Sequence, residues 1–313
     1  SSNKTQTIFG NEFEQNLKVN NPKLWSPETP YLYTTVTQLF VKNELKDSLS
    51  TRFGIREINY DAKTGFRLNG EITKFKGVCL HHDLGPIGTA VNKSALRRQL
   101  TILKDMGCNA IRSSHNMPSI EQLELCDEMG FMFLAESFDE WAKPKVKNGY
   151  NLYFEAYAEK DVVNLVRATR NHPCIVMWSS GNEVPDQWGT EGVKRAKWLQ
   201  DIFHREDPTR PVTSGHSASA KMDVFGVNGG SEKTQFFTNQ RPNKPFVATE
   251  APHTWQTRGY YRSKTWLRDG NHSERQGIFD LPDLTDKEIK AGKPQKQAVA
   301  IAMSNASKSK KKK

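Results

Sequence analysis

Short apolar segments alternate with helical patterns between about residue 75 and residue 250, and this alternation constrains the fold more than any other feature. In the first helical pattern, Leu96, Leu100, Leu103 and Met106 recur at the spacing of one helix face. Strands that alternate with helices form parallel sheets, and seven of them favour an eightfold β/α barrel, the TIM barrel, over an open sheet. The predicted strands span residues 76–80, 109–112, 131–134, 174–178, 211–213, 224–227 and 245–248.

Capping signals mark the ends of the predicted helices. Ser94 suits the start of the first helix, and Gly107 suits its end. Ser119 and Gln122 have the spacing of a capping box, which predicts a second helix from this point. A longer helix is predicted over about residues 155–169. These helices fill intervals between consecutive strands, as a β/α barrel requires.

The N-terminal region has a different character. Residues 31–41 and 51–60 are rich in β-branched and aromatic side chains, which favours strands. They supply fewer strands than the roughly seven of an immunoglobulin-like sandwich. We therefore predict an α/β protein in which residues 1–62 form a partial immunoglobulin-like β-sandwich and residues 63–286 form the catalytic barrel.

The C-terminal region lacks a clear eighth strand, because its candidate, residues 277–279, is short and has polar neighbours. Residues 287–313 contain nine Lys and one Glu, so they hold most of the net charge of +10. We predict that this segment is a basic, disordered tail. It lacks the aromatic and Arg side chains of a stacking surface, so we expect no nucleic-acid partner, although polyanion binding through the tail is an alternative.

Polar side chains follow five of the predicted strands. Because the carboxyl ends of barrel strands meet at one mouth, these side chains are expected to converge. A single His or Glu there would be unremarkable in a solvated loop, but five polar strand ends are harder to explain in that way. The polar ends are residues 81–83, 112–116, 136–141, 179–183 and 249–250.

Two carboxylates in this set, Glu183 and Glu250, could face each other across the barrel mouth. Paired carboxylates on either side of a bond are the usual machinery of glycosidases. We expect Trp141, Trp178 and Trp255 to lie nearby as sugar-stacking aromatics. The sequence contains no G-x-S-x-G elbow, no phosphate-binding P-loop and no dinucleotide-binding glycine motif after a strand, which argues against acyl transfer, nucleotide hydrolysis and dinucleotide-dependent redox chemistry.

Seven motifs, taken in this order, closely resemble glycoside hydrolase family 2 of the β-galactosidase type. The resemblance covers roughly residues 20–285 and implies a retaining exo-glycosidase that hydrolyses terminal β-linked sugars, most simply β-galactosides. The motifs are residues 21–33 (NPKLWSPETPYLY), 52–56 (RFGIR), 110–115 (AIRSSH), 138–141 (FDEW), 178–183 (WSSGNE), 248–250 (ATE) and 257–261 (TRGYY).

The resemblance also implies roles for individual residues. Glu183 matches the general acid/base of the family, and Glu250 matches its nucleophile. In a retaining enzyme the two carboxyl groups lie about 5 to 5.5 Å apart. The matching Arg supports the nucleophile, the histidines match sugar-hydroxyl ligands, and the Asn matches the residue that binds the 2-hydroxyl. The positions that match substrate-binding residues are His81, Arg112, His115, Asp139, Asn182 and Trp255.

The chain departs from its relatives in several places. Many relatives have Asn-Tyr after the sixth strand, and the Tyr hydroxyl donates to the nucleophile; here Gly229 follows Asn228. Either another donor replaces that hydroxyl or the activity is reduced. The jelly-roll domain and the eighth strand of relatives are not found, so we expect the chain to be a fragment of a longer enzyme.

Other functions stay open at this point. A β-glucuronidase is disfavoured because the loops after Glu250 have no Asn-x-Lys motif, whereas a β-mannosidase cannot be distinguished from sequence. A catalytically silent carbohydrate-binding remnant is a further alternative, favoured by Gly229 and the missing strand.

A carbohydrate substrate is the partner that we expect. The longest apolar runs are far shorter than the roughly 20 residues of a membrane span, so no membrane partner is expected. The resemblance allows a homo-oligomer of the full-length enzyme. It also allows Mg²⁺ or Na⁺ near the acid/base, but the residue spacing indicates no metal site and no cofactor. The four cysteines form no C-x-x-C pair and are predicted to be buried free thiols.

Overall fold

The computed structural model describes residues 3–7, 10, 13–216, 222–229 and 243–250. Trp255, the candidate eighth strand at residues 277–279 and the basic tail at residues 287–313 lie outside the described residues. Within the described part of the chain, no helix combines the length and the apolar character needed to cross a bilayer.

The N-terminal region forms one antiparallel hairpin of strands β1 (Tyr33–Val41) and β2 (Glu44–Phe53). Its two-residue turn, Lys42-Asn43, has positive φ at both positions, which matches the right-handed twist of a tight hairpin. Within the range predicted for the sandwich, residues 1–62, the described residues contain this hairpin and one strand of the sheet that follows. The boundaries drawn at residues 62 and 286 stay predictions.

A small antiparallel sheet follows, and it contacts the start of the fourth barrel strand. It consists of β3 (Ile58–Asp61), β4 (Gly65–Leu68) and β5 (Glu71–Ile72). The hydroxyl of Tyr60 donates to the carbonyl of Val176 at 3.0 Å, which joins this sheet to the fourth barrel strand.

The barrel is built from parallel strands, and all seven predicted strands are confirmed. The first five pair in sequence order, and the last two pair with each other. Thr213 connects the two groups, because its hydroxyl donates to the Val224 carbonyl at 2.9 Å. The strands are β6 (Gly77–Leu80), β7 (Ala110–Ser113), β8 (Met132–Glu136), β9 (Ile175–Asn182), β10 (Val212–Gly215), β11 (Phe225–Asn228) and β12 (Phe246–Glu250).

In the residues that the structure describes, four α-helices lie between the strands: α1 (Lys93–Asp105), α2 (Ile120–Met129), α3 (Phe154–Thr169) and α4 (Gly189–Glu206). The predicted Ser119 cap is confirmed, since its hydroxyl accepts from the Gln122 amide at 3.2 Å. The predicted Ser94 start is wrong. Asn92 caps α1 instead, and its side chain accepts from the Ala95 amide at 2.9 Å.

All four cysteines are free thiols, as predicted, but only two of them are buried. Cys126 and Cys174 lie in the core, whereas Cys79 and Cys108 are half-buried. Burial raises the pKa of the Cys126 and Cys174 thiols, which keeps both in their unreactive protonated form.

Candidate active site

Glu250 ends β12 at the barrel mouth, where a cation from another strand contacts it. The guanidinium of Arg112, at the centre of β7, donates to Glu250 Oε1 at 2.9 Å. His115 Nε2 lies 3.6 Å from the same oxygen. Both groups therefore engage Oε1, which fixes the orientation of the Glu250 carboxylate.

Glu136, at the end of β8, contacts both Arg112 and His115. Its carboxylate is fully buried and accepts from Arg112 Nη2 at 2.7 Å, His115 Nδ1 at 2.7 Å and the Ser179 hydroxyl at 2.6 Å. Burial alone would raise the pKa of Glu136, but Arg112 and the His115 hydrogen bond outweigh it and hold the pKa below its usual range. An ionised Glu136 thus positions both groups that contact Glu250.

Glu183 follows β9 in a left-handed backbone conformation, with φ at 42°. A non-glycine residue in this region costs roughly 1 to 3 kcal/mol, and such residues cluster at functional sites. The Glu183 amide donates to the Gly215 carbonyl at 3.0 Å, which ties this turn to the end of β10. Its side chain is exposed at the mouth and accepts from Asn228 Nδ2 at 3.0 Å.

Two asparagines connect the surroundings of the two glutamates. Asn182 Oδ1 accepts from Arg112 Nη2 at 2.8 Å and from Asn228 Nδ2 at 2.9 Å. Asn228 Oδ1 in turn accepts from the hydroxyl of Thr249, the residue before Glu250, at 2.7 Å. One hydrogen-bonded network therefore runs from Glu183 to Glu250 through side chains of four strands.

Irregular strand pairing places this network at the mouth. The register between β9 and β10 shifts just before Asn182, and the register between β11 and β12 shifts just before Asn228 and Glu250. Such bulges redirect side chains and are frequent beside active sites. A Cβ at Gly215 would lie 2.4 Å from Arg112 Nη2, so glycine is required beside the guanidinium.

The loop between β8 and α3 contributes a second cation. Lys145 Nζ lies 2.8 Å from Asp139 Oδ1 and 2.7 Å from the Asn182 carbonyl. Burial would raise the pKa of Asp139, but hydrogen bonds from Lys145 and Asn182 hold it below its usual range. The buried Glu140 carboxylate accepts from the main-chain amides of Lys145 at 2.6 Å and Asn151 at 2.9 Å, which fixes the loop.

His81 follows β6, and its ring contacts the ring of His115. The two rings meet edge to face, with their centroids 5.0 Å apart. Partial burial, and then the proximity of His115, lower the pKa of His81. His81 is therefore a neutral imidazole at neutral pH, able to donate from one ring nitrogen and accept at the other.

Two of the expected sugar-stacking aromatics are placed elsewhere, so that prediction is wrong. Trp141 and Trp178 are fully buried. Trp141 Nε1 donates to the Ser180 carbonyl at 2.9 Å, and Trp178 Nε1 donates to Asp207 at 2.9 Å. Both rings therefore belong to the core, where strands covered on both faces bury every side chain.

The structure brings together seven of the eight predicted site residues, and Trp255 lies outside the described residues. Sequence reasoning missed Glu136, Lys145 and the amide of Asn228. Glu136 had a signal, because it begins the polar segment 136–141 that follows the predicted strand 131–134. The predicted site residues that the structure places at the mouth are His81, Arg112, His115, Asp139, Asn182, Glu183 and Glu250.

The carboxylates near Glu183 do not fit a metal site. Asp139 is paired with Lys145, and Glu136 is paired with Arg112, so protein cations already neutralise them. No group of three or more His, Cys, Asp or Glu side chains in the described part of the chain could hold an ion.

Comparison with known proteins identifies relatives for almost the whole chain. The family model described as "Glycosyl hydrolases family 2, TIM barrel domain" matches residues 62–280, and the model "Glycosyl hydrolases family 2" matches residues 1–56. A putative beta-glucuronidase of Formosa agariphila is 46% identical over 87% of this chain. Beta-galactosidase BoGH2A of Bacteroides ovatus is 36% identical over 94% of it.

Solved structures show the same likeness. A beta-glycosidase from Bacteroides vulgatus superposes with a TM-score of 0.71 at 43% sequence identity. The match covers 77% of this chain and 31% of the Bacteroides vulgatus chain. The chain spans 25% of the Formosa protein and 40% of the Bacteroides ovatus protein. The barrel and the hairpin before it are thus one portion of what these relatives contain.

Proposed function

Because the chain belongs to glycoside hydrolase family 2, we propose that it carries the catalytic barrel of a retaining exo-β-glycosidase. Glu183 is the general acid/base and Glu250 is the nucleophile in this proposal. The observation that carries it is the ion pair between Arg112 and Glu250 Oε1 at 2.9 Å, joined by one hydrogen-bonded network to Glu183.

In the first step, Glu250 Oε2 attacks the anomeric carbon, while Glu183 donates a proton to the glycosidic oxygen. We assign Oε2 to the attack because Arg112 and His115 engage Oε1. The leaving sugar departs with the proton, and a covalent glycosyl ester remains on Glu250. Glu183 then takes a proton from water, whose oxygen attacks the anomeric carbon, so the bond to Glu250 breaks and the sugar is released with its original configuration.

Arg112 also explains how the chain manages with Gly229 in place of the expected tyrosine. Its guanidinium supplies the nucleophile with a donor that does not depend on the position after Asn228. Gly229 has φ at 67°, a left-handed conformation that a tyrosine would adopt only with strain. We therefore propose that Arg112, a donor that the resemblance also gives to relatives with the tyrosine, sustains the nucleophile in the absence of the phenol.

The sugar contacts follow from the position of each side chain. We propose that His81, His115 and Asp139 contact hydroxyl groups of the terminal sugar, and that Asn182 contacts its 2-hydroxyl. Trp255 completes this set as a stacking residue. Both ends of the Asn182 side-chain amide are held by neighbours. Oδ1 accepts from Arg112 at 2.8 Å, and Nδ2 donates to Asp139 at 3.1 Å, so the orientation of the side chain is fixed before substrate binds.

For the sugar itself, we propose a β-galactoside, with a β-glucuronide as the second candidate. The first is supported by the β-galactosidase-type motifs, and the second by the 46% identical relative that is named a putative beta-glucuronidase. The test compares kcat/KM for the 4-nitrophenyl β-galactoside, β-glucuronide and β-mannoside, with the product anomer followed by NMR. Retained configuration with the galactoside preferred supports the proposal. An inverted product overturns the mechanism, and turnover of none of the three favours a silent carbohydrate-binding remnant.

We propose that catalysis requires no metal ion, because Lys145 already neutralises Asp139 and Arg112 already neutralises Glu136. Dialysis against EDTA should leave kcat/KM for the preferred glycoside unchanged. Loss of activity on chelation, with recovery on adding Mg²⁺, would refute this.

Lys145 is expected to be a positioning residue for the acid/base. Replacing it by methionine keeps most of the length of the side chain but removes the contacts with Asp139 and with the main-chain carbonyl of Asn182, which precedes Glu183. We expect Lys145→Met to lower kcat/KM by about tenfold, mainly through kcat, because misplacement of a reacting group is costly. Lys147→Met is the matched control, since Lys147 is exposed in the same loop. Equal effects of both variants would refute the role.

A further inference from the structure

Trp188 is a large aromatic residue exposed beside the general acid/base. Its side chain is 55% exposed, whereas Trp141 and Trp178 are fully buried. It lies five residues after Glu183, in the loop that joins β9 to α4. Neither the sequence motifs nor the proposed mechanism uses this residue.

Contacts keep Trp188 close to Glu183. The Glu183 amide donates to the carbonyl of Gly215 at 3.0 Å. The next residue, His216, meets the Trp188 ring edge to face, with centroids 6.1 Å apart. Trp188 is therefore two contacts away from the backbone of the acid/base, and its ring is held by a neighbour while one face stays open to solvent.

Local structure does not explain a tryptophan at this position. Trp188 is the N-cap residue of α4, but its side chain makes no capping hydrogen bond. Ser, Thr, Asp and Asn are preferred at N-caps because their side chains satisfy the first amides of the helix. A residue that breaks a local rule without a structural gain indicates a functional position.

We infer that Trp188 forms the binding platform for the leaving-group sugar of an oligosaccharide substrate. The inference rests on the proposed function, because Glu183 protonates the glycosidic oxygen and the leaving group begins at that atom. The leaving-group sugar must then lie on the Glu183 side of the mouth. The apolar C–H face of a pyranose ring suits an indole ring, and burial of about 55 Å² of apolar surface corresponds to about tenfold in affinity.

The kinetic test compares two substrates with the same terminal sugar. One is the β-linked disaccharide, whose leaving sugar reaches Trp188, and the other is the β-glycosyl fluoride, whose leaving atom does not. We expect Trp188→Ala to lower the ratio of kcat/KM for disaccharide to that for fluoride by about tenfold. Trp188→Phe should retain part of the ratio. Tyr31→Ala, which removes an exposed aromatic residue before β1, should keep the parent ratio. An unchanged ratio in Trp188→Ala would overturn the inference.

A binding test separates this inference from the proposed function. In the Glu250→Gln variant, calorimetry should show the disaccharide binding about tenfold more tightly than the monosaccharide, and Trp188→Ala should remove that preference. If the parent chain hydrolyses neither substrate but the Trp188-dependent preference is present, the proposed function fails, while Trp188 still binds the second sugar of the disaccharide. Equal affinity for both sugars, or a preference that survives Trp188→Ala, overturns the inference.

Discussion

Glu250→Ala should lower kcat for the preferred nitrophenyl glycoside by at least about 10⁴-fold, because the covalent intermediate can no longer form. The fold should be preserved, since Glu250 is partly exposed at the end of β12 and its removal leaves Arg112 paired with Glu136. Hydrolysis rates and circular dichroism of the same samples would check both statements. Glu191→Ala is the matched control, because Glu191 is an exposed carboxylate on α4 that pairs with Lys194.

Removal of the acid/base carboxylate, Glu183, should affect hydrolysis rates differently from removal of Glu250. Glu183→Ala should slow hydrolysis of glycosides with poor leaving groups by about 10² to 10⁴-fold, the usual contribution of general acid catalysis. Activated aryl glycosides need less proton donation, so their hydrolysis should suffer less in the first step. Added azide should accelerate Glu183→Ala by displacing Glu250 from the glycosyl ester, which gives the β-glycosyl azide. In Glu250→Ala no ester forms, so any azide product must arise by one direct displacement and be the α-glycosyl azide. The same azide anomer from both variants would contradict the assigned roles.

Glu136→Gln should lower the free energy of unfolding by about 3 to 5 kcal/mol, the cost of removing one partner from a buried ion pair. Glu136 is fully buried, and Arg112 and His115 both depend on it. Urea denaturation would measure the change. Glu124→Gln is the control, because it removes an exposed pair with Lys93 and should cost no more than about 1 kcal/mol.

The stability loss in Glu136→Gln should also depend on pH. The folded pKa of Glu136 is lower than that of the unfolded chain, so its ionised form stabilises the protein at neutral pH. That contribution is lost as the pH falls below about 4 towards the folded value. The parent and the variant should therefore converge in stability in acid. A difference that stays constant from neutral to acid pH would contradict an ionised Glu136.

The barrel strands could be predicted because each is a short apolar run between helical patterns. Both patterns arise because strands and helix faces must bury apolar side chains in the core. The position of Ser119 could be predicted because a capping box is a local motif. Asn92 was missed since both Asn92 and Ser94 are good caps, and only the backbone shows which residue precedes the first turn. Trp141 and Trp178 were misplaced because sequence does not show whether an aromatic side chain in a strand or after it turns into the core or towards the mouth.

The sequence predicted which strand ends carry site residues, but it did not predict which side chains contact each other there. Glu183 and Glu250 follow from strands that end in carboxylates. Glu136 is different, because its importance arises from Arg112 and His115, which come from the neighbouring strand β7 and the loop after it. The Asn228 amide also needs tertiary structure, since the register shift between β11 and β12 turns it towards Glu183.

Covalent trapping tests the central claim, that Glu250 is the nucleophile of a retaining glycosidase, most directly. A 2-deoxy-2-fluoro glycoside with an activated leaving group slows hydrolysis of the glycosyl ester more than its formation. Mass spectrometry of the intact chain should show one added fluoroglycosyl group, and peptide mapping should place it on Glu250. A label on any other carboxylate, or turnover of the reagent with inversion and no label, would contradict the account.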